Sequence, residues 1–149
     1  MEIRRILQTE AEAVTDLWDE AGRSVPDGGP LKERGRRNIA AMLVLAASSH
    51  RTACFVAVED GELGGFVMAE LADDGLLPCR YGLVEELYAR RDRATERALV
   101  EAAVAWLYEH EVFVIRTEID LDTPEDAEVL EPLGFERETI RFGLYRDGS

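Results

Sequence analysis

The chain has 149 residues, 46% of them hydrophobic, which is enough to bury one sizeable core and short enough that a single domain is the default. Thirty-one acidic against 17 basic residues give a net charge of −14, which repels nucleic acid phosphates and favours cationic small molecules as partners or plain solubility. Charges break every apolar run before the ~18 residues of a membrane span, and "MEIRRILQTE" lacks the long apolar stretch of a secretory signal, so a cytoplasmic, non-membrane protein is expected.

The acidity is spread along the chain, as on a solvated surface, and only hints at an amine substrate. Cys54 in an apolar run and Cys79 in a loop are too few and too dissimilar in setting for a disulfide framework or a zinc site.

In chain order, "EIRRIL" predicts a short strand, and Thr9 with Glu12 predicts a capping box opening a helix whose Val14, Leu17, Trp18 and Ala21 share one face. "VPDGGP" breaks the chain before a second helix, predicted over about Leu31 to Ser49. "TACFVAVEDGELGGFVMAEL" reads as a hairpin turning at Asp60-Gly61, the dipeptide that readily supplies positive φ angles. After the loop "ADDGLLPCR", strict alternation in "YGLVEELYA" puts Leu83, Glu85 and Leu87 on one face and Val84, Glu86 and Tyr88 on the other, unless a bulge intervenes. Leu99, Ala102, Ala103, Trp106 and Leu107 then mark a helix running to about His110. "VFVIRTEID" is a buried-looking strand, Thr123-Pro124 signals a helix start, Gly134 suits a helix stop, and "RETIRFGLYR" predicts a last strand. No internal repeat or low-complexity segment interrupts this order.

Three stretches, "VAVEDGELGGFVMAEL", "VEELYA…RALVEAAVAWL" and "DAEVLEPLGFERE", in this order and spacing make the chain resemble the GNAT N-acetyltransferase superfamily over nearly its whole length. The resemblance implies a mixed α/β fold, with a central mixed sheet of six to seven strands flanked by about four helices. It also implies acetyl-CoA as co-substrate, entering where the fourth strand splays from the fifth, with main-chain groups of Leu87, Tyr88 and Ala89 meeting its pantetheine arm. The pyrophosphate rests in such proteins on the unpaired N–H groups of a helix start, usually R/Q-x-x-G-x-G/A. Here that motif falls on Arg91, Asp92, Arg93, Ala94, Thr95 and Glu96. Arg91 matches, whereas Ala94 and Glu96 replace small residues, the preceding loop is about three residues short, and a carboxylate beside a pyrophosphate is repulsive by about 1 kcal/mol or more. Arg90, Arg91 and Arg93 either hold the phosphates in the place of the missing glycines or pair with Asp92 and Glu96 on an exposed helix start.

Acetyl transfer to an amine needs a base, donors to the thioester carbonyl and often an acid for the leaving thiolate. Glu85 and Glu86 are the candidate bases, with surface pairing as the plainer reading of each. Many members of that family carry a tyrosine as the acid four residues before the glycine of a "GF" turn; here that position is Leu130, leaving Tyr145, Tyr88 or water for the role. An asparagine of the family aligns with Thr123, which a helix cap also explains. His50 and His110 fall at helix C-termini, where a structural role suffices, and Trp18 and Trp106 read as core. No metal-ligand spacing is present. The expected activity is transfer of acetyl to a primary amine of a small molecule, cationic ones included, or of a peptide. The alternative is a catalytically silent GNAT-like binding domain. Exposed sheet edges in such a fold favour a homodimer.

Overall fold

A computed structural model describes residues 1–25, 28–73, 80–90, 92–118, 127–138 and 142–144. Its elements are β1 (Glu2–Arg5), α1 (Ala11–Ser24), α2 (Glu33–Ala46), β2 (Thr52–Glu59), β3 (Glu62–Asp73), β4 (Arg80–Ala89), α3 (Arg93–Glu109), β5 (Val114–Thr117) and the single-turn α4 (Ala127–Leu130). Among the described residues the strands form one five-stranded sheet in the order β1-β2-β3-β4-β5, fewer than the six to seven expected. The predicted last strand falls largely outside the described residues, and Phe142 to Leu144 within it are exposed and carry no strand.

The sheet is mixed for a covalent reason. β1 to β4 pair antiparallel, and the hairpin between β2 and β3 closes through Asp60 (φ 52°) and Gly61 (φ 78°), as the dipeptide predicts. β4 and β5 are parallel, so the chain must cross back over the sheet, and α3 is that crossover.

Alternation along the strands feeds two cores. Ala53, Ala57, Val67, Ala69, Leu71 and Val84 face Leu99, Ala103, Trp106 and Leu107 of α3. On the opposite face, Cys54, Val56, Phe66 and Met68 pack on Val14 and Leu17 of α1 and Leu43 and Ala46 of α2. Burial, with a smaller contribution from Glu10, pushes the Cys54 thiol up to about 12, so it is a packing group here. Trp106 is buried, as the periodicity predicts, and His110 closes α3 with Nδ1 2.8 Å from the Trp106 carbonyl oxygen. His50 is exposed beyond α2.

The helix starts differ in detail from the sequence patterns. The Leu7 N–H is met by the Glu10 carboxylate at 2.9 Å, so a short 3-10 turn over Gln8–Glu10 precedes α1, and the expected Thr9–Glu12 box does not form the start. At the far end of α2, Arg5 donates to the carbonyl oxygens of Ala46 and Thr52 at 3.0 and 3.1 Å, placing a cation where the helix dipole favours one.

Candidate active site

The centre of interest is the second half of β4. Its ladder with β5 runs from Tyr81–Val114 to Val84–Thr117 and goes no further among the described residues, while β4 itself continues to Ala89. On its other side the register with β3 slips: Met68 opposes Glu85, but Phe66 opposes Tyr88, so β4 spends one residue more than β3. That extra residue is a β-bulge, and Glu86 within it takes φ 54°. A non-glycine residue in this region carries about 1–2 kcal/mol of backbone strain.

The bulge corrects the strict alternation expected along this strand. Val84, Leu87 and Ala89 join the α3 side and Tyr88 the α1/α2 side, while Glu85 and Glu86 open into the same cleft. Alternation fails here because a bulge resets the face of every later residue. The end of β4 also approaches β3 very closely: a Cβ on Gly65 would lie 2.8 Å from the Tyr88 carbonyl oxygen and 3.1 Å from Ala89 Cβ. Only glycine accommodates that approach.

The cleft encloses about 400 Å³ between the sheet and the two early helices. Trp18, Ile39, Met42 and Met68 give it an apolar wall, and Glu70, Glu85 and Glu86 line its acidic side. Trp18 therefore serves both cleft and core, with its ring stacked on Phe66 at 5.3 Å. Burial raises the Glu85 carboxyl above its ordinary value, and the charges of Glu70, Glu86 and Glu118 raise it further. A carboxyl so raised is a stronger base once ionised than an ordinary glutamate.

Tyr88 points the other way chemically. Its hydroxyl donates to the Glu20 carboxylate of α1 at 2.6 Å, and burial together with that carboxylate pushes its pKa up to about 12. Arg90 clamps the same carboxylate with two hydrogen bonds of 2.8 and 3.0 Å, and the two donors hold Glu20 below the usual carboxylate range. Tyr88 is thus a strut between α1 and the strand end, which leaves it poorly suited to release a proton. Sequence spacing gives no hint of this pairing, because Glu20 and Tyr88 lie 68 residues apart.

At the start of α3 the carboxylates are neutralised locally. Asp92 caps the helix by accepting the Ala94 N–H at 2.9 Å, and the Thr95 hydroxyl lies 3.4 Å from the same carboxylate. Arg93 pairs with Glu96 at 2.7 Å, one turn along. Leu130, where relatives carry a tyrosine, is buried with Val100 and Val129 between α3 and α4, so this position is packing. Arg91, Thr123 and Tyr145 lie outside the described residues.

No family model matches the chain, and no curated protein matches it. Solved structures do. The aminoglycoside acetyltransferase AAC(6′)-Iy, crystallised with a bisubstrate analogue of CoA and acetylneamine, is 21% identical, covers 99% of this chain and 98% of its own, and superposes with a TM-score of 0.75. The chain has the GNAT acetyltransferase fold. A protein of Agrobacterium tumefaciens assigned as an acetyltransferase gives 0.76 at 17% identity over 98% of this chain and all of its own. A transcriptional regulator from Bacillus halodurans gives 0.78 at 15% identity over 97% of this chain and 99% of its own. At such identities the GNAT fold is what these structures share with this chain.

For acetyl-CoA, the group this fold implies, the fit divides along the chain. The end of β4, bulged and beyond the last described pair with β5, is where the resemblance would seat the thioester and pantetheine arm. The start of α3 does not suit the pyrophosphate in the usual manner, because the Ala94 N–H is already taken by Asp92 and Arg93 by Glu96. No helix among the described residues is long and apolar enough to cross a membrane.

Proposed function

We propose that the protein is an N-acetyltransferase that moves an acetyl group from acetyl-CoA to a primary amine seated in the cleft beside Glu85 and Glu86. The observation that carries this reading is the coincidence of three features at one place: a β4–β5 ladder that among the described residues reaches no further than Val84–Thr117, the bulge at Glu86 and the raised carboxyl of Glu85. The thioester supplies an activated acetyl group when bound. Glu85 accepts the proton that the ammonium must lose before its nitrogen can attack, directly or through water. Glu86 and Glu70 hold the cation in place until then, and the apolar wall of Trp18, Ile39, Met42 and Met68 keeps its carbon body out of water. Main-chain N–H groups of the bulged strand are donors for the carbonyl oxygen, a role that tolerates any side chain except proline. Protonation of the departing thiolate falls to Tyr145 or to water, because Tyr88 is committed to Glu20.

A second reading has its own support. A domain of this fold that binds a ligand or partner without transferring acetyl is favoured by the self-capped start of α3, and one structure of this fold is described as a transcriptional regulator.

Titration with acetyl-CoA separates the two. At a hundred times its dissociation constant the cofactor should stabilise the fold by about 2.7 kcal/mol, which for a chain of this size raises the melting temperature by about 5–10 °C. No shift and no calorimetric heat at millimolar acetyl-CoA would favour the silent domain.

A further inference from the structure

The cleft does not end at its acidic side. On α2 it is bounded by Asn38, Ile39 and Met42, which lie along one flank of the helix. One turn earlier, that flank carries Gly35 and, at its solvent edge, Arg34, four residues before Asn38. A Cβ built on Gly35 meets nothing within 4 Å, so the space directly over Gly35 is open. Arg34, the residue before Gly35, is exposed.

Arg34 is also unused by the fold. Among the described residues Arg36 pairs with Asp16, Arg23 with Asp19 and Arg90 with Glu20, whereas Arg34 has neither an ion pair nor a side-chain hydrogen bond. In a chain of net charge −14, carboxylates are not scarce. The first turn of a helix is moreover the end where its dipole disfavours a cation. A guanidinium kept there without a partner, on the turn of α2 that precedes the cleft residues Asn38, Ile39 and Met42, is suited to an anion brought from outside.

We propose that the acceptor is a primary amine whose far end carries a carboxylate, the amine meeting Glu85 and Glu86 and the carboxylate meeting Arg34, with an apolar body lying along Trp18, Ile39 and Met42. This rests on the reading of the cleft as the acceptor site. From Arg34 to Met42 the helix axis rises about 12 Å, at about 1.5 Å per residue. A tripeptide with free termini covers a similar span, at about 3.5 Å per extended residue, as does a long-chain ω-amino acid. A free α-amino acid is too short to reach both ends. A diamine would place its second cation against Arg34 and be disfavoured there.

Three eight-carbon probes that differ only at the far end test this: 8-aminooctanoate, octylamine and 1,8-diaminooctane, each assayed for acetylation with acetyl-CoA and for binding by calorimetry without it. The carboxylate-bearing probe should exceed both others in kcat/KM by about tenfold or more. In Arg34→Gln that advantage should vanish through KM, with kcat held. Arg37→Gln, on the solvent side of the same turn, should leave the preference intact. Equal or better use of octylamine or the diamine by the unaltered protein would overturn the proposal, as would a preference that survives Arg34→Gln. Arg34-dependent binding of 8-aminooctanoate with no acetylation of any probe would sustain this ligand class while removing the acetyltransferase reading. Absence of both binding and turnover for all three would overturn the proposal itself.

Discussion

Two neighbouring sets of carboxylates lie at the two ends of one short stretch of chain, and they are treated in opposite ways. Around α3, Asp92 receives a helix N–H, Glu96 an arginine, and nearby Glu20 both an arginine and a tyrosine hydroxyl. In the cleft, burial and then the charges of Glu70, Glu86 and Glu118 make Glu85 hold its proton more tightly. Neutralised carboxylates are structural: they tie the helix start and α1 to the strand end. A carboxyl left among like charges costs stability and persists where its basicity or its attraction for a cation is of use. Under the proposed function, this contrast favours chemistry at the acceptor side and little of the usual recognition for the cofactor's phosphates.

The largest expected effect breaks the cleft half of this contrast. Glu85→Gln should reduce acetyl transfer by about 10²–10⁴-fold, the range for a removed general base, with acetyl-CoA affinity unchanged. The same group sets a pH dependence whose sign follows from its raised pKa. The rate should fall on acidification through a value above the ordinary glutamate range. Folding stability should move the other way, since the folded state binds the Glu85 proton more tightly than the unfolded chain does. From this group, stability is lost as pH rises from the ordinary value through the raised one. Glu20 has the opposite sign: its lowered pKa gives stability present above the usual carboxylate value and lost as pH falls below it. Acid melts of the native chain and of Glu85→Gln and Glu20→Gln variants would resolve the two slopes.

Next in size is the junction between the two regions. Gly65→Ala pushes a methyl group into the Tyr88 carbonyl oxygen, which is backbone and cannot swing aside. Chemical denaturation should register a loss of about 1–3 kcal/mol. A neutral result would mean that β4 can retreat from β3 without harm to the bulge.

Glu20→Ala should cost about 1 kcal/mol, because the Glu20 and Arg90 side chains are 39% and 44% exposed and water screens the pair. It should also return the Tyr88 hydroxyl toward ordinary phenol titration, visible by ultraviolet absorbance. The smallest effect sharpens the phosphate half: Glu96→Gln should tighten acetyl-CoA binding by a few-fold, as expected when one partly exposed repulsion is lifted. Unchanged or weaker binding would show that Glu96 faces away from the phosphates.

Much of the fold is legible in the residues themselves. Asp60-Gly61 dictates its turn, the apolar spacing from Leu99 to Leu107 dictates α3, and the order of elements dictates one parallel pair at the edge of an antiparallel sheet. The site is less legible because its decisive features are relations between strands. A bulge exists only as a mismatch of β4 against β3, so alternation within "VEELY" assigns the glutamates to opposite faces. Likewise the arginines of "ARRDR" read equally well as phosphate ligands or as partners of local acids. Only the position of α1 shows that Arg90 belongs to Glu20, a residue far away in sequence. The substitution of Leu130 for the family tyrosine is visible in sequence, and its burial against Val100 supplies the physical reason.

Cys54 has a practical consequence. Fully buried between the sheet and the early helices, with its thiolate suppressed, it is shielded from alkylating reagents while β2 keeps its neighbours. Its labelling, followed by mass spectrometry, becomes a clock for the opening of that layer, started without any engineered probe. Ligands that seat in the adjoining cleft should slow the clock.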